Sequence, residues 1–66
     1  MNIVVNGERR EIADDLTVAD FLLATAGTVR GSAVVVDGEV VPRSEWSRRR
    51  FEDGQSIELI TAAQGG

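Results

Sequence analysis

The chain contains no cysteine, histidine, lysine or tyrosine. The absence of cysteine excludes disulfides, thiolate nucleophiles and thiolate metal sites. Without histidine the chain lacks the usual general base near neutral pH and the commonest metal ligand. Without lysine, no side-chain amine is present to form a Schiff base. Because so few reactive groups remain, we expect no catalytic residue, no metal site and no bound cofactor.

The chain is also short and has no long apolar run. Its 66 residues allow one small domain. A domain of this size buries only about 60% of its unfolded surface, so its core is too thin to wall a catalytic cleft. No apolar run approaches the ~20 residues of a membrane span, and no secretory signal pattern is present. We therefore expect a cytoplasmic protein that is monomeric when free and has no membrane contact.

Acidic side chains outnumber basic ones by 11 to 7, which gives a formal net charge of -4. An acidic domain repels nucleic acid and suits a basic cleft on a protein partner. Arg48–Arg50 form a basic run but have no glycine-rich phosphate loop beside them, so we interpret the run as solvated. Asp14 and Asp15 are adjacent, so their side chains point apart, and their place before a helix suits the helix dipole.

Most of the chain reads as β-strands joined by tight turns. Alternating and β-branched residues predict strands at residues 2–6, 8–13, 33–37, 40–41 and 57–61. Asn6-Gly7 and Asp37-Gly38 are hairpin dipeptides, because both central positions of a type I′ turn need positive φ. Asp53-Gly54 predicts a third turn.

One helix is predicted, over residues 18–26. Thr17 is a suitable N-cap and Asp20 occupies the capping-box position. Gly27 suits the left-handed C-cap. A capped single helical turn is predicted at 44–47, with Trp46 folding back onto the sheet edge in a packing role. The periodicities predict a core of nine residues: Ile3, Val5, Ile12, Val18, Phe21, Leu22, Val35, Ile57 and Leu59.

The sequence ends in Gln64-Gly65-Gly66. A Gly-Gly end arises by chance in roughly one chain in 200. It offers a carboxylate with no Cβ nearby and little conformational restriction, so it can enter a narrow cleft of another enzyme. We predict a folded domain at residues 1–61 and a flexible tail at 62–66, which would reach roughly 17 Å at about 3.4 Å per residue.

Five groups of residues stand out along the chain: Asn2 to Gly7, Leu16-Thr17-Val18, Val41-Pro42-Arg43 with Trp46, Asp53-Gly54 before Ile57, and Gly65-Gly66. With these motifs and its order of hairpin, helix, strands and Gly-Gly tail, the chain resembles the ubiquitin-like β-grasp sulfur carriers. The resemblance is strongest to the ThiS-type carriers of thiamin thiazole biosynthesis and covers essentially the whole chain. One departure is Ala62-Ala63-Gln64, where many members carry a bulkier apolar residue before the glycines.

The resemblance implies an α+β fold, with a mixed four- to five-stranded sheet packed on one main helix. It also implies a non-enzymatic function as a co-substrate. An E1-like adenylyltransferase (ThiF type) would use ATP and Mg²⁺ to adenylate the Gly66 carboxylate. A persulfide donor would then convert this end to a thiocarboxylate, and a thiazole synthase (ThiG type) would take the sulfur into the thiazole ring.

We expect two groups of residues to serve the partner enzymes. Gly65 and Gln64 would thread into the partner's cleft behind Gly66. On the last strand, alternation places Glu58 and Ile60 on the face opposite the core. An exposed Ile60 beside Val4 of the neighbouring strand would form an apolar patch for docking.

Three other functions remain open at this stage. The chain could be a different β-grasp carrier, such as the small subunit of molybdopterin synthase or a carrier for cysteine or tRNA thiolation. Its shortness and the Pro42-Arg43 group with Trp46 argue against these. It could also be a ubiquitin-like protein modifier, or a non-covalent binding module in which Gly-Gly is incidental.

Overall fold

The computed structural model describes residues 1–27 and 30–61. The elements run in the order of a hairpin, a helix, a second hairpin, a short 3₁₀ helix and a final strand. Their bounds are β1 (Asn2–Val5), β2 (Glu8–Glu11), α1 (Val18–Ala26), β3 (Ser32–Val36), β4 (Glu39–Val40), a 3₁₀ helix (Arg43–Glu45) and β5 (Ser56–Thr61).

The five strands form one mixed sheet in the order β2-β1-β5-β3-β4. The central pair, β1 and β5, is parallel, with Val4 opposite Ser56 and Val5 opposite Ile57. All other neighbours are antiparallel. The parallel pair is possible because α1 and the second hairpin connect the two strands over a long stretch of chain. The predicted α+β fold, with one helix and a mixed sheet, is confirmed.

Both hairpins turn through residues of positive φ, as the dipeptides predicted. Asn6 and Gly7 have φ of 49° and 85°, and Asp37 and Gly38 have φ of 49° and 86°. This is the type I′ pattern, whose twist matches that of the flanking strands. The turns end β1 and β3 sharply, so β5 extends past the end of β1.

Helix α1 has the predicted bounds and caps. Thr17 accepts a hydrogen bond from the Asp20 amide, and the Asp20 carboxylate accepts one from the Thr17 amide. Gly27 closes the helix in the left-handed region at φ 79°. Two further amides of the first turn bond to a distant loop: Val18 donates to the Arg49 carbonyl at 2.8 Å and Ala19 to the Trp46 carbonyl at 2.9 Å.

The core lies between one face of the sheet and the helix. Phe21 and Phe51 pack edge to face with ring centroids 5.4 Å apart, a favoured aromatic geometry. Trp46 is buried and its indole N–H donates to the Val41 carbonyl at 3.0 Å, while the Arg43 guanidinium lies over its ring. The packing role predicted for Trp46 is confirmed. The buried apolar residues are Ile3, Val5, Val18, Phe21, Leu22, Val34, Val36, Val41, Trp46, Phe51 and Ile57.

The predicted core is wrong at Val35, and it leaves out Val41 and Phe51, which are buried. Val35 was predicted to be buried, but the core contains its neighbours Val34 and Val36, and Val35 is half-buried on the opposite face. Three valines in a row are apolar on both faces, so alternation alone does not decide which face is inward. Ile12 and Leu59 are partly buried and pack against the core.

The segment between β2 and α1 is tied to the amino terminus. The Met1 ammonium lies 2.9 Å from an Asp14 carboxylate oxygen and also donates to the Ile12 carbonyl. The hydrogen bond to Asp14 raises the pKa of the Met1 amino group above its usual value. Asp14 therefore acts as a structural ion-pair partner and Asp15 is exposed.

Candidate functional site

Strand β5 is the element that leads towards the carboxyl end. Ile57 is buried and Leu59 is partly buried, while Glu58 and Ile60 are exposed on the opposite face, as the alternation predicted. Ile60 is 51% exposed, although it is a large apolar side chain. The predicted tail, including Gln64, Gly65 and Gly66, lies outside the described residues.

The face of the sheet opposite the helix, here called the outer face, carries an apolar cluster around Ile60. The register places Ala33 opposite Ile60 and Val35 opposite Glu58. Val40 in turn lies opposite Val35 and is 69% exposed. Ile60, Ala33, Val35 and Val40 therefore line three adjacent strands, and we call them the outer apolar cluster; the Glu58 carboxylate lies among them.

The predicted contact between Ile60 and Val4 is wrong. Val4 is on the outer face, but it lies opposite Ser56. Ile60 is four residues further along β5, which separates the two positions by about 13 Å along the strand. The reason is that β1 ends at the Asn6 turn before it reaches the level of Ile60.

Two turn residues hold β5 through their side chains. The Asn6 side-chain oxygen accepts from the Leu59 amide at 2.8 Å, and the Asn6 side-chain nitrogen donates to the Leu59 carbonyl at 3.2 Å. At the other end of β5, the Asp37 carboxylate accepts from the Ser56 amide at 2.9 Å. The sequence predicted both turns but not these bonds, because the bonded residues are far apart along the chain.

The described residues present few groups for chemistry. Within 1–27 and 30–61, no three acidic side chains converge to form a metal-binding group. No helix in this part of the chain is long and apolar enough to cross a membrane. The basic run Arg48–Arg50 has an acidic neighbour. A guanidinium nitrogen of Arg49 lies 3.7 Å from a carboxylate oxygen of Glu45, four residues earlier.

Comparison with known proteins gives a consistent result. The ThiS family model matches residues 3–66. The chain is 29% identical to the sulfur carrier protein ThiS of Escherichia coli K12, over the full length of both chains. It is 32% identical to part of a thiazole synthase of Paramagnetospirillum magneticum, and it spans only 20% of the length of that protein.

Solved structures agree in fold. The crystal structure of the thiamine biosynthesis protein ThiS from Geobacter metallireducens superposes with a TM-score of 0.81 at 29% identity, over the full length of both chains. A solution structure of a thiamine biosynthesis protein from the same organism superposes with a TM-score of 0.76 at 28% identity, covering this chain fully and 88% of the other. Since the family model covers nearly the whole chain and the fold agrees throughout, the chain belongs to the ThiS family.

Proposed function

We propose that this chain is a sulfur carrier for the thiazole ring of thiamin, with its Gly66 carboxyl group as the site that carries sulfur. The observation that carries the proposal is the family match, which extends from the first strand to Gly65-Gly66. The chain acts as a co-substrate, and its partners supply the catalytic groups, ATP and Mg²⁺.

The chemistry begins with a carboxylate that has to be activated. A terminal carboxyl group has a pKa near 3.5, so at neutral pH it is ionised and a poor electrophile. In the proposed first step, a carboxylate oxygen of Gly66 attacks the α-phosphorus of ATP, forming an acyl-adenylate and releasing pyrophosphate. An E1-like adenylyltransferase of the ThiF type provides this site.

Sulfur then replaces the activated oxygen. The terminal sulfur of a persulfide donor attacks the Gly66 carbonyl carbon and AMP leaves. A thiol attacks the other sulfur of the resulting acyl disulfide, which releases the Gly66 thiocarboxylate and leaves a disulfide on the donor side. The two electrons needed to cleave the sulfur–sulfur bond come from the donor's thiols.

We propose a thiazole synthase of the ThiG type as the acceptor of this sulfur. The support is the similarity of this chain to one fifth of a protein named thiazole synthase. Thiocarboxylate sulfur is a better nucleophile than carboxylate oxygen, so it can attack an electrophilic carbon that the acceptor enzyme provides. Gly65 and Gln64 would occupy the narrow approach to both partner sites, where the absence of a Cβ at Gly65 leaves room for close backbone contact.

We propose the outer apolar cluster with Glu58 as the surface that docks onto the adenylyltransferase. Ile60 and Val40 are two of the three large apolar side chains exposed in the described part of the chain, and both lie on this face. The Glu58 carboxylate among them fits a partner surface that pairs an apolar ridge with a basic side chain. Val4 would lie at the edge of the contact, on the far side of Ser56.

Intact mass spectrometry tests the proposed function. The chain is incubated with the adenylyltransferase, ATP, Mg²⁺ and a persulfide donor. We expect its mass to rise by the difference between sulfur and oxygen. A covalent adduct with another protein would instead identify a protein modifier, and an unchanged mass would overturn the carrier function.

The variant Gly66→Val tests whether Gly66 itself is the reacting residue. A β-branched side chain beside the reacting carbonyl restricts the backbone and fills the space of the attacking group. Since a misplacement of about 1 Å costs on the order of 100-fold in rate, we expect conversion to be slowed by at least that factor. Thr61→Val, a near-isosteric change at the exposed end of β5, is the matched control and should react normally. Equal rates for the two variants would contradict a role for Gly66.

A further inference from the structure

We propose that Asn6 is a positioning residue that sets the direction in which β5 presents the carboxyl end to the activating enzyme. The inference rests on the proposed carrier function. It assigns a role in the reaction to a side chain at the opposite end of the sequence from Gly66.

The geometry at Asn6 extends the sheet beyond the end of β1. The last backbone contact between the two segments is the Asn6 amide, which donates to the Ile57 carbonyl at 2.9 Å. Two residues further along β5, the Asn6 side chain bonds both the amide and the carbonyl of Leu59. A carboxamide carries one donor group and one acceptor, as a peptide unit does. The side chain therefore takes the place of the next rung of the ladder.

These bonds hold β5 on the side where β1 has already ended, so no strand of the described residues pairs with Leu59 on that side. On the opposite side, β3 follows β5 to its end, with Ser32 opposite Thr61. On the β1 side, pairing between the strands covers only Ser56 and Ile57. Leu59 is two residues before the end of β5, so the bonds from Asn6 help to set the direction in which Leu59 to Thr61 run.

The turn at Asn6 allows the clamp to be removed without disturbing the hairpin. The positive φ of 49° at this position suits Asn, Asp and Gly. Asn6→Gly removes both side-chain bonds. Asn6→Asp keeps the acceptor for the Leu59 amide but sets a carboxylate oxygen against the Leu59 carbonyl, so it keeps one bond of two.

Asp37→Gly supplies a matched control. Asp37 has the same φ of 49°, is also followed by glycine in a hairpin turn, and also bonds β5 through its side chain. Its bond, however, is to Ser56 at the start of the strand. Removing it weakens the hold on β5 at the end remote from Thr61.

The experiment measures adenylation of each variant against carrier concentration, together with hydrogen exchange of the Leu59 amide. For Asn6→Gly we expect kcat to fall on the order of ten-fold with KM nearly unchanged, since the outer face is intact but the reacting end is misdirected. We also expect Leu59 to exchange about ten-fold faster, because its acceptor is lost. Asn6→Asp should lie between this variant and the wild type, and Asp37→Gly should keep the wild-type kcat.

The outcomes separate this inference from the function on which it rests. If the wild-type chain is adenylated and Asn6→Gly has the same kcat as Asp37→Gly, the positioning role of Asn6 is wrong and the carrier function stands. A change confined to KM would likewise overturn positioning, because it would place Asn6 in docking. If the wild-type chain is not adenylated at all, the proposed function fails and the inference fails with it.

Discussion

At the scale of single residues, the side chains that matter are the ones that depart from the ordinary division of apolar inside and polar outside. Ile60 is an apolar residue that is half exposed on the outer face. Asn6 is a turn residue whose side chain forms hydrogen bonds with the amide and the carbonyl of Leu59, as a neighbouring strand would. Scattered exposed apolar residues are normal on protein surfaces. Ile60 differs from them because it adjoins Ala33 across the strand and lies near Val35 and Val40 on the same face.

Ile60→Glu tests the docking face at this scale. The change places a charge in a contact that has to lose its water on binding, so we expect affinity for the adenylyltransferase to fall on the order of ten-fold or more. Isothermal titration calorimetry measures the affinity, and circular dichroism verifies that the variant is folded.

Leu23→Glu is the matched control for this prediction. Leu23 is 54% exposed, slightly more than Ile60 at 51%, but it lies on helix α1 on the other side of the sheet. The two variants change the net charge equally, which removes long-range repulsion as an explanation. Similar affinities for the two variants would show that the outer apolar cluster does not dock.

At the scale of elements, helix α1 is held at its amino end from two sources. The local source is the capping box of Thr17 and Asp20. The distant source is the loop after the 3₁₀ helix, whose Trp46 and Arg49 carbonyls accept from the first turn. Together they satisfy amides that have no partner within a helix. This arrangement also fixes Trp46 beneath the helix, so the packing of the loop depends on where the helix begins.

Thr17→Ala tests the local source. The loss of the acceptor for the Asp20 amide should lower the free energy of unfolding by about 1 kcal/mol. Urea unfolding followed by the fluorescence of Trp46, the single tryptophan, measures the change. Thr25→Ala is the control, since Thr25 is exposed within the same helix and alanine has the higher helix propensity there. Equal urea midpoints for the two variants would show that the capping box contributes nothing.

At the scale of the whole molecule, one small hydrophobic core stabilises the sheet and the helix. At about 0.05–0.15 kcal/mol per residue, a chain of this length has a free energy of unfolding of roughly 3–10 kcal/mol. Among the described residues, helix α1 covers one face of the sheet, and the exposed side chains of Val40 and Ile60 lie on the other.

Leu22→Ala tests how small the free energy of unfolding is. Leu22 is fully buried, and its truncation should cost about 2–5 kcal/mol. That loss approaches the whole stability of the domain, so we expect a much lower melting temperature and a partly unfolded population at 37 °C by circular dichroism. Leu23→Ala, at the adjacent exposed position, should change stability by no more than about 0.5 kcal/mol. Comparable losses for both variants would contradict the assigned core.

The sequence by itself determined the features that depend on near neighbours. The Asn6-Gly7 turn, the capped helix from Val18 to Ala26, and the alternation of Ile57 and Ile60 across β5 were all predicted correctly. Each follows from local backbone preferences or from the two-residue period of a strand. The family resemblance rested on motifs of the same local kind.

Only the tertiary structure decided which residues meet across the sheet. The run Val34–Val36 is apolar on both faces, so its sequence does not indicate which side chains point into the core. For this reason the prediction that Val35 is buried was wrong. The neighbour of Ile60 proved to be Ala33 and not Val4, and the bond from Asn6 to Leu59 spans most of the chain. These contacts depend on strand register and on where β1 ends beside β5. Both are set when segments far apart in sequence pack together, and no local pattern encodes them.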